Sequence, residues 1–123
     1  MSIANKILIA DDDIEMREAL ASLLKASGYK VVEAEDGAQA VEMSVKELPS
    51  LILLDIHMPK MDGLAACKAI KSNQVTKPIP VVMLTIEGSI SEIQQAIAYG
   101  AHTYITKPSS KEEILKVIKS ILY

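Results

Sequence analysis

The sequence predicts an α/β fold, a doubly wound sheet of five parallel strands joined by five helices. Two observations predict it. Ile7 to Ala10, Leu51 to Leu54 and Val81 to Leu84 are continuous apolar runs, the pattern of strands buried on both faces. Between and after them, apolar residues recur at helical spacing, so strand and helix patterns alternate along the whole chain. A third regularity concerns function: each apolar run passes directly into polar residues, Asp11-Asp12-Asp13, Asp55 and Thr85.

Taken in order, Ile7 to Ala10 form the first strand, and a helix follows with Met16, Ala19, Leu20, Leu23 and Leu24 on one face and Gly28 as its stop. Asp12 or Asp13 can cap that helix, and Asp13 is the better placed to do only that. Tyr29 to Ala34 read as a second strand, at an edge because Lys30 and Glu33 interrupt it. Asp36 or Gly37 starts a helix with Ala40, Val41, Ser44, Val45 and Leu48 inward, ended by Pro49. The central strand, Leu51 to Leu54, runs into Asp55, and Pro59 with Asp62-Gly63 marks a loop. The next helix buries Leu64, Cys67 and Ile70, and Lys77-Pro78-Ile79-Pro80 turns the chain into the strand Val81 to Leu84. A fourth helix uses Ile90, Ile93, Ala96 and Ile97 and breaks at Gly100. His102 to Thr106 alternate as an edge strand and run into Lys107-Pro108. Ser109 or Ser110 caps a last helix presenting Ile114, Leu115, Ile118, Ile121 and Leu122. Three inner strands and two edges agree with the strand order 2-1-3-4-5 of flavodoxin-like folds.

One domain over residues 1–123 is the expectation, and a chain of this size buries roughly two thirds of its unfolded surface without a disulfide or structural metal. With no Trp and no Phe, the core must be aliphatic. A net charge of −3 and the lack of a basic run give no reason to expect direct nucleic-acid or membrane binding. A lone cysteine, Cys67, and no long apolar segment point to a soluble, cytoplasmic protein. Cys67 and the methionines read as packing residues, and His57 and His102 as exposed residues without a ligand set.

Parallel strands bring their C-terminal ends to one edge, so Asp11, Asp12, Asp55, Thr85 and Lys107 should converge there. Carboxylates crowded together must either rise in pKa or be neutralised by a cation. Oxygen ligands favour a hard divalent ion, and Mg²⁺ commonly takes one or two carboxylates, waters and a phosphoryl oxygen. Lys107 would add a positive charge and Thr85 a hydroxyl, which together suit a phosphoryl group on an Asp oxygen.

With ILIADDD, LLDIHMPKMDG, VVMLT and GAHTYITKP in this order, the whole chain resembles the receiver domain of two-component response regulators, of the single-domain chemotaxis type. The resemblance implies that Asp55 accepts a phosphoryl group from a histidine kinase or histidine phosphotransfer protein. It implies Mg²⁺ held by Asp12 directly, Asp11 through water, Asp55, and the backbone carbonyl of His57. Lys107 would pair with the phosphoryl group, Thr85 would move its hydroxyl onto it, and Tyr104 would turn inward, a local charge event read out by repacking. The Lys107-Pro108 bond is typically cis in the family. Two positions tune the pattern: Ile86 stands where the family usually has a small residue, narrowing access to the site, and His57 lies where side chains vary with phosphoryl lifetime.

The leading expectation is a phosphorylatable receiver, not an enzyme, that signals through the surface of helix four, strand five and helix five to an unidentified protein target. It would be a monomer or a phosphorylation-dependent homodimer. The last helix should end with the chain at Tyr123, which suits a stand-alone receiver and equally a domain excised from a larger regulator or hybrid kinase. The alternative is a receiver-like binding module that works without phosphorylation, against which the full acidic set and Lys107 argue. A metal-dependent phosphatase with an aspartyl nucleophile fits poorly, because Asp11-Asp12-Asp13-Ile14-Glu15 lacks its usual spacing.

Overall fold

A computed structural model describes residues 5–86 and 89–123. Strands and helices alternate as β1 (Lys6–Ala10), α1 (Ile14–Ala26), β2 (Lys30–Ala34), α2 (Gly37–Glu47), β3 (Leu51–Asp55), α3 (Gly63–Ser72), β4 (Val81–Ile86), α4 (Ile90–Tyr99), β5 (Thr103–Lys107) and α5 (Lys111–Leu122). The sheet has five strands in the order β2-β1-β3-β4-β5, and every neighbouring pair is parallel. The doubly wound arrangement expected from the sequence is the one observed.

The continuous apolar runs are explained by two cores, one on each face of the sheet. Ile7, Ile9, Leu51, Leu53, Val82, Leu84 and Ile105 pack with Leu20, Leu24 and Ile118 of α1 and α5. The intervening residues Leu8, Ala10, Ile52, Leu54, Val81 and Met83 meet Ala40, Ala66, Cys67, Ile70 and Ala96 of α2, α3 and α4. Successive side chains of a strand point to opposite faces, so a sheet covered on both sides needs apolar residues at every position.

Helix starts are fixed by side-chain oxygens. Asp13, Asp36, Asp62 and Ser110 each accept a bond from the backbone N–H three residues on, at 3.2, 2.8, 2.8 and 3.1 Å. Ser110, not Ser109, therefore caps α5.

The helix faces depart from the sequence reading in places. In α1, Ala19 is exposed and Ala21 is buried beside Leu20 and Leu24. Leu48 lies outside α2 as its left-handed C-cap (φ 45°) and is exposed, as is Val45. Ile90 and Ile97 of α4 are exposed, and Ala96 alone is buried there. Periodicity locates an amphipathic stripe, but whether a neighbour covers the whole stripe depends on tertiary placement. β4 also continues one residue past Thr85, to Ile86. No helix among the described residues is long and apolar enough to cross a membrane.

Candidate functional site

The C-terminal ends of β1, β3, β4 and β5 meet at one edge of the sheet, and the loops that leave them carry the polar residues singled out in the sequence. Asp55 closes β3, with Leu84 of β4 as its register partner. Its position is set by a tight return of the chain: Ile56 N–H donates to the Leu84 carbonyl (3.2 Å), and Gly63 N–H comes back to the Ile56 carbonyl (2.6 Å). Gly63 has to be glycine at this approach, since a Cβ there would lie 2.0 Å from the Asp55 carbonyl oxygen. A second close approach ties in α2, where Gly37 N–H donates to the Met61 carbonyl at 3.0 Å.

Asp11 is fixed at each of its polar groups. Its N–H continues the pairing with β2 by donating to the Ala34 carbonyl (3.1 Å), and its Oδ1 accepts from Asp13 N–H (3.0 Å). Its Oδ2 accepts from Lys107 Nζ at 2.8 Å, and its carbonyl oxygen accepts from Arg17 Nη1 at 2.7 Å. Asp12 follows, exposed to solvent. One carboxylate oxygen from each of Asp11, Asp12 and Asp55 lies within 4.8 Å of the others. Three acidic oxygens at this separation, without a nitrogen or sulfur donor among them, suit a hard divalent cation such as Mg²⁺.

Lys107, at the end of β5, is the only protein cation bonded to these carboxylates among the described residues: its Nζ reaches Asp55 Oδ1 at 3.2 Å as well as Asp11. The Lys107-Pro108 peptide is cis. Burial pushes the Asp55 carboxyl up to about 6, and the charge of Asp11 adds to the rise while Lys107 opposes it. For Lys107 burial works against the ammonium, but its hydrogen bond to Asp11 and the charges of both aspartates outweigh it, and its pKa rises. The site thus holds more negative charge than its single lysine balances.

Thr85 is buried on β4, next to the β3 end, and its hydroxyl donates to the Ile86 carbonyl at 3.3 Å rather than to Asp55. Ile86 follows it and is 58% exposed at the rim. Tyr104 on β5 is exposed. His57 is exposed on the loop after Asp55, with Nε2 3.3 Å from Glu92 Oε2 of α4. His102 is exposed and Cys67 is buried in the core.

Four neighbours of the site escaped the sequence reading: Arg17, Glu33, Gly63 in its steric role, and Glu92. None of them left a usable signal in the pattern of residue types.

Comparison with known proteins gives a consistent result. The family described as the response regulator receiver domain matches residues 7–119. The DNA-binding dual master transcriptional regulator RpaA of Synechocystis is 38% identical over 117 residues, covering 95% of this chain and 48% of RpaA. The chain spans about half the length of the curated relatives it matches. Among solved structures, the chemotaxis protein CheY4 of Vibrio cholerae superposes with a TM-score of 0.92 at 33% identity, covering 98% of this chain and all of that one (100%). The signal receiver domain of a signal transduction histidine kinase from Syntrophus aciditrophicus gives 0.89 at 33% identity, covering 97% and 90%.

Proposed function

Since the chain belongs to the response regulator receiver domain family, we propose that it is a phosphorylation-dependent signalling receiver whose acceptor is Asp55, with residues 1–123 forming one receiver domain. The observation that carries this reading is Lys107 Nζ lying between Asp11 Oδ2 and Asp55 Oδ1, at 2.8 and 3.2 Å, beside a convergent set of three carboxylates. A lone structural ion pair would not need the further two acids.

In the proposed reaction an Asp55 carboxylate oxygen attacks the phosphorus of a phosphohistidine on a histidine kinase or phosphotransfer protein. A P–O bond forms, the P–N bond breaks, and the imidazole leaves with the bond's electron pair. Asp55 must be ionised to attack, and above a pKa of about 6 it is. Asp12, Asp55 and the His57 carbonyl would hold Mg²⁺, with Asp11 acting through water. Bound Mg²⁺ supplies neutralisation of the phosphoryl charge. Lys107 keeps its bond to Asp11 and exchanges the one to Asp55 for a phosphoryl oxygen. The Thr85 hydroxyl leaves the Ile86 carbonyl for another phosphoryl oxygen, and Tyr104 turns into the space vacated. The surface of α4, β5 and α5 then changes towards a protein target, as a monomer or as a homodimer. We place this activity in the cytoplasm and outside the class of turnover enzymes, in keeping with curated relatives named as regulators.

The test is intact mass after incubation with acetyl phosphate, with and without Mg²⁺, alongside Asp55→Asn. A Mg²⁺-dependent single phosphoryl adduct, absent from the variant, is the expected result. If no adduct forms, Ile86→Ala separates two explanations: its appearance then means that Ile86 excludes the small donor, and continued silence means a binding module independent of phosphorylation.

A further inference from the structure

Arg17 is bound through two nitrogens of its guanidinium, one to the acidic turn after β1 and the other to β2. Its Nη1 donates to the Asp11 carbonyl oxygen at 2.7 Å, and its Nε donates to Glu33 Oε1 of β2 at 3.0 Å. The Arg17 side chain is only 13% exposed, so the contact is held in a partly desolvated place where a charge-assisted bond has its full effect. Its backbone is fixed as well, with Arg17 N–H donating to the Asp13 carbonyl in the first turn of α1.

The Asp11 carbonyl belongs to the peptide plane that joins Asp11 to Asp12. Asp11 needs no help from Arg17 to hold its carboxylate, which Asp13 N–H and Lys107 already engage. Asp12 differs, because its exposed carboxylate makes no hydrogen bond to another described side chain or backbone group, and the backbone alone sets where its Cα–Cβ bond points. Fixing the 11–12 peptide plane therefore fixes where the Asp12 carboxylate starts. Asp12 and Arg17 line one cleft with Ile14, Glu35, Asp36 and Lys60.

We propose that Arg17, braced by Glu33, is a positioning residue for the cation site, orienting Asp12 through the Asp11 carbonyl. The inference rests on the reading that Mg²⁺ is held by Asp11, Asp12 and Asp55. It makes a prediction opposite in sign to simple electrostatics. Removing a positive charge near a cation site should tighten Mg²⁺ binding if charge alone mattered, whereas loss of a positioning partner of the ligands typically weakens binding by about 10-fold or more.

The experiment is calorimetric titration of the folded, unphosphorylated protein with Mg²⁺, comparing wild type, Arg17→Met, Arg17→Lys and Glu33→Gln. Ile70→Val serves as a destabilised control remote from the turn, and circular dichroism establishes folding at the titration temperature. The dissociation constant should rise about 10-fold in Arg17→Met. It should rise in Arg17→Lys too, because one ammonium keeps the charge but cannot span Glu33 and the carbonyl as a guanidinium does. Glu33→Gln should show a smaller rise and Ile70→Val none. Unchanged or tighter binding in the folded Arg17 variants, with wild type binding normally, overturns the inference. If Arg17→Met does not fold, Arg17→Lys decides it alone, because it keeps the charge, whereas weaker binding in Glu33→Gln is what charge alone would also give. Failure of wild type to bind Mg²⁺ removes the underlying reading instead, so the two failures are distinct.

Discussion

Helices α3 and α4 are each ten residues long and lie on the same face of the sheet, yet they are held very differently. α3 buries Gly63, Ala66, Cys67 and Ile70, its first turn is capped by Asp62, and its start is pressed onto the Asp55 carbonyl. α4 buries only Ala96, leaves Ile90 67% and Ile97 44% exposed, and starts at Ser89 without a side-chain capping bond. Where few apolar contacts anchor a helix, its local opening costs little free energy. Asp55 is thus backed by a well-anchored element, whereas α4 has the fewer anchors. His57 touches both regions, following Asp55 on one side and meeting Glu92 of α4 on the other.

The contrast can be broken by one substitution made in both helices. Ile70→Ala should cost about 3 to 4 kcal/mol in urea denaturation, through lost burial and a residual cavity. Gly63→Ala should cost roughly 2 to 3 kcal/mol, because the new methyl meets backbone and β3 or α3 must shift. Asp55→Asn has the opposite sign. The folded carboxyl keeps its proton up to a pKa of about 6, whereas the unfolded chain releases it near 4. The folded state therefore binds more protons in that window, and stability falls as pH rises through it. In chelator-containing buffer at neutral pH, Asp55→Asn should gain roughly 1 to 2 kcal/mol and lose that pH dependence. Ile97→Ala, the smallest effect, should stay within about 0.5 kcal/mol. A cost for Ile97→Ala comparable to that of Ile70→Ala would dissolve the distinction between the helices.

The parts legible in the sequence are those that repeat or terminate. Leu51 to Leu54 announced a strand covered on both faces because every residue is apolar, and Asp55 marked its end because a charge cannot continue into a core. The alternating pattern then brought Asp11, Asp12, Asp55, Thr85 and Lys107 to one edge by topology. The exposure of Ile90 and Ile97 was not legible, since helical spacing says which residues share a face and not whether anything covers it. Arg17 was hidden for a related reason. Its two partners, the Asp11 carbonyl and Glu33, are a backbone atom and a residue on the neighbouring strand, and a pattern of side-chain types records neither. In the sequence Gly63 shows only as turn punctuation, because a steric approach to the Asp55 carbonyl exists only once α3 is laid against β3.

The most direct test of the whole account is hydrogen–deuterium exchange of the Mg²⁺-loaded protein with and without beryllofluoride, a mimic of the phosphoryl group, in wild type and Asp55→Asn. Changes concentrated in α4 and β5, with α3 amides unaltered and Asp55→Asn silent, are the predicted result. Exchange that stays the same in wild type, or that changes as much in α3 as in α4, would contradict it.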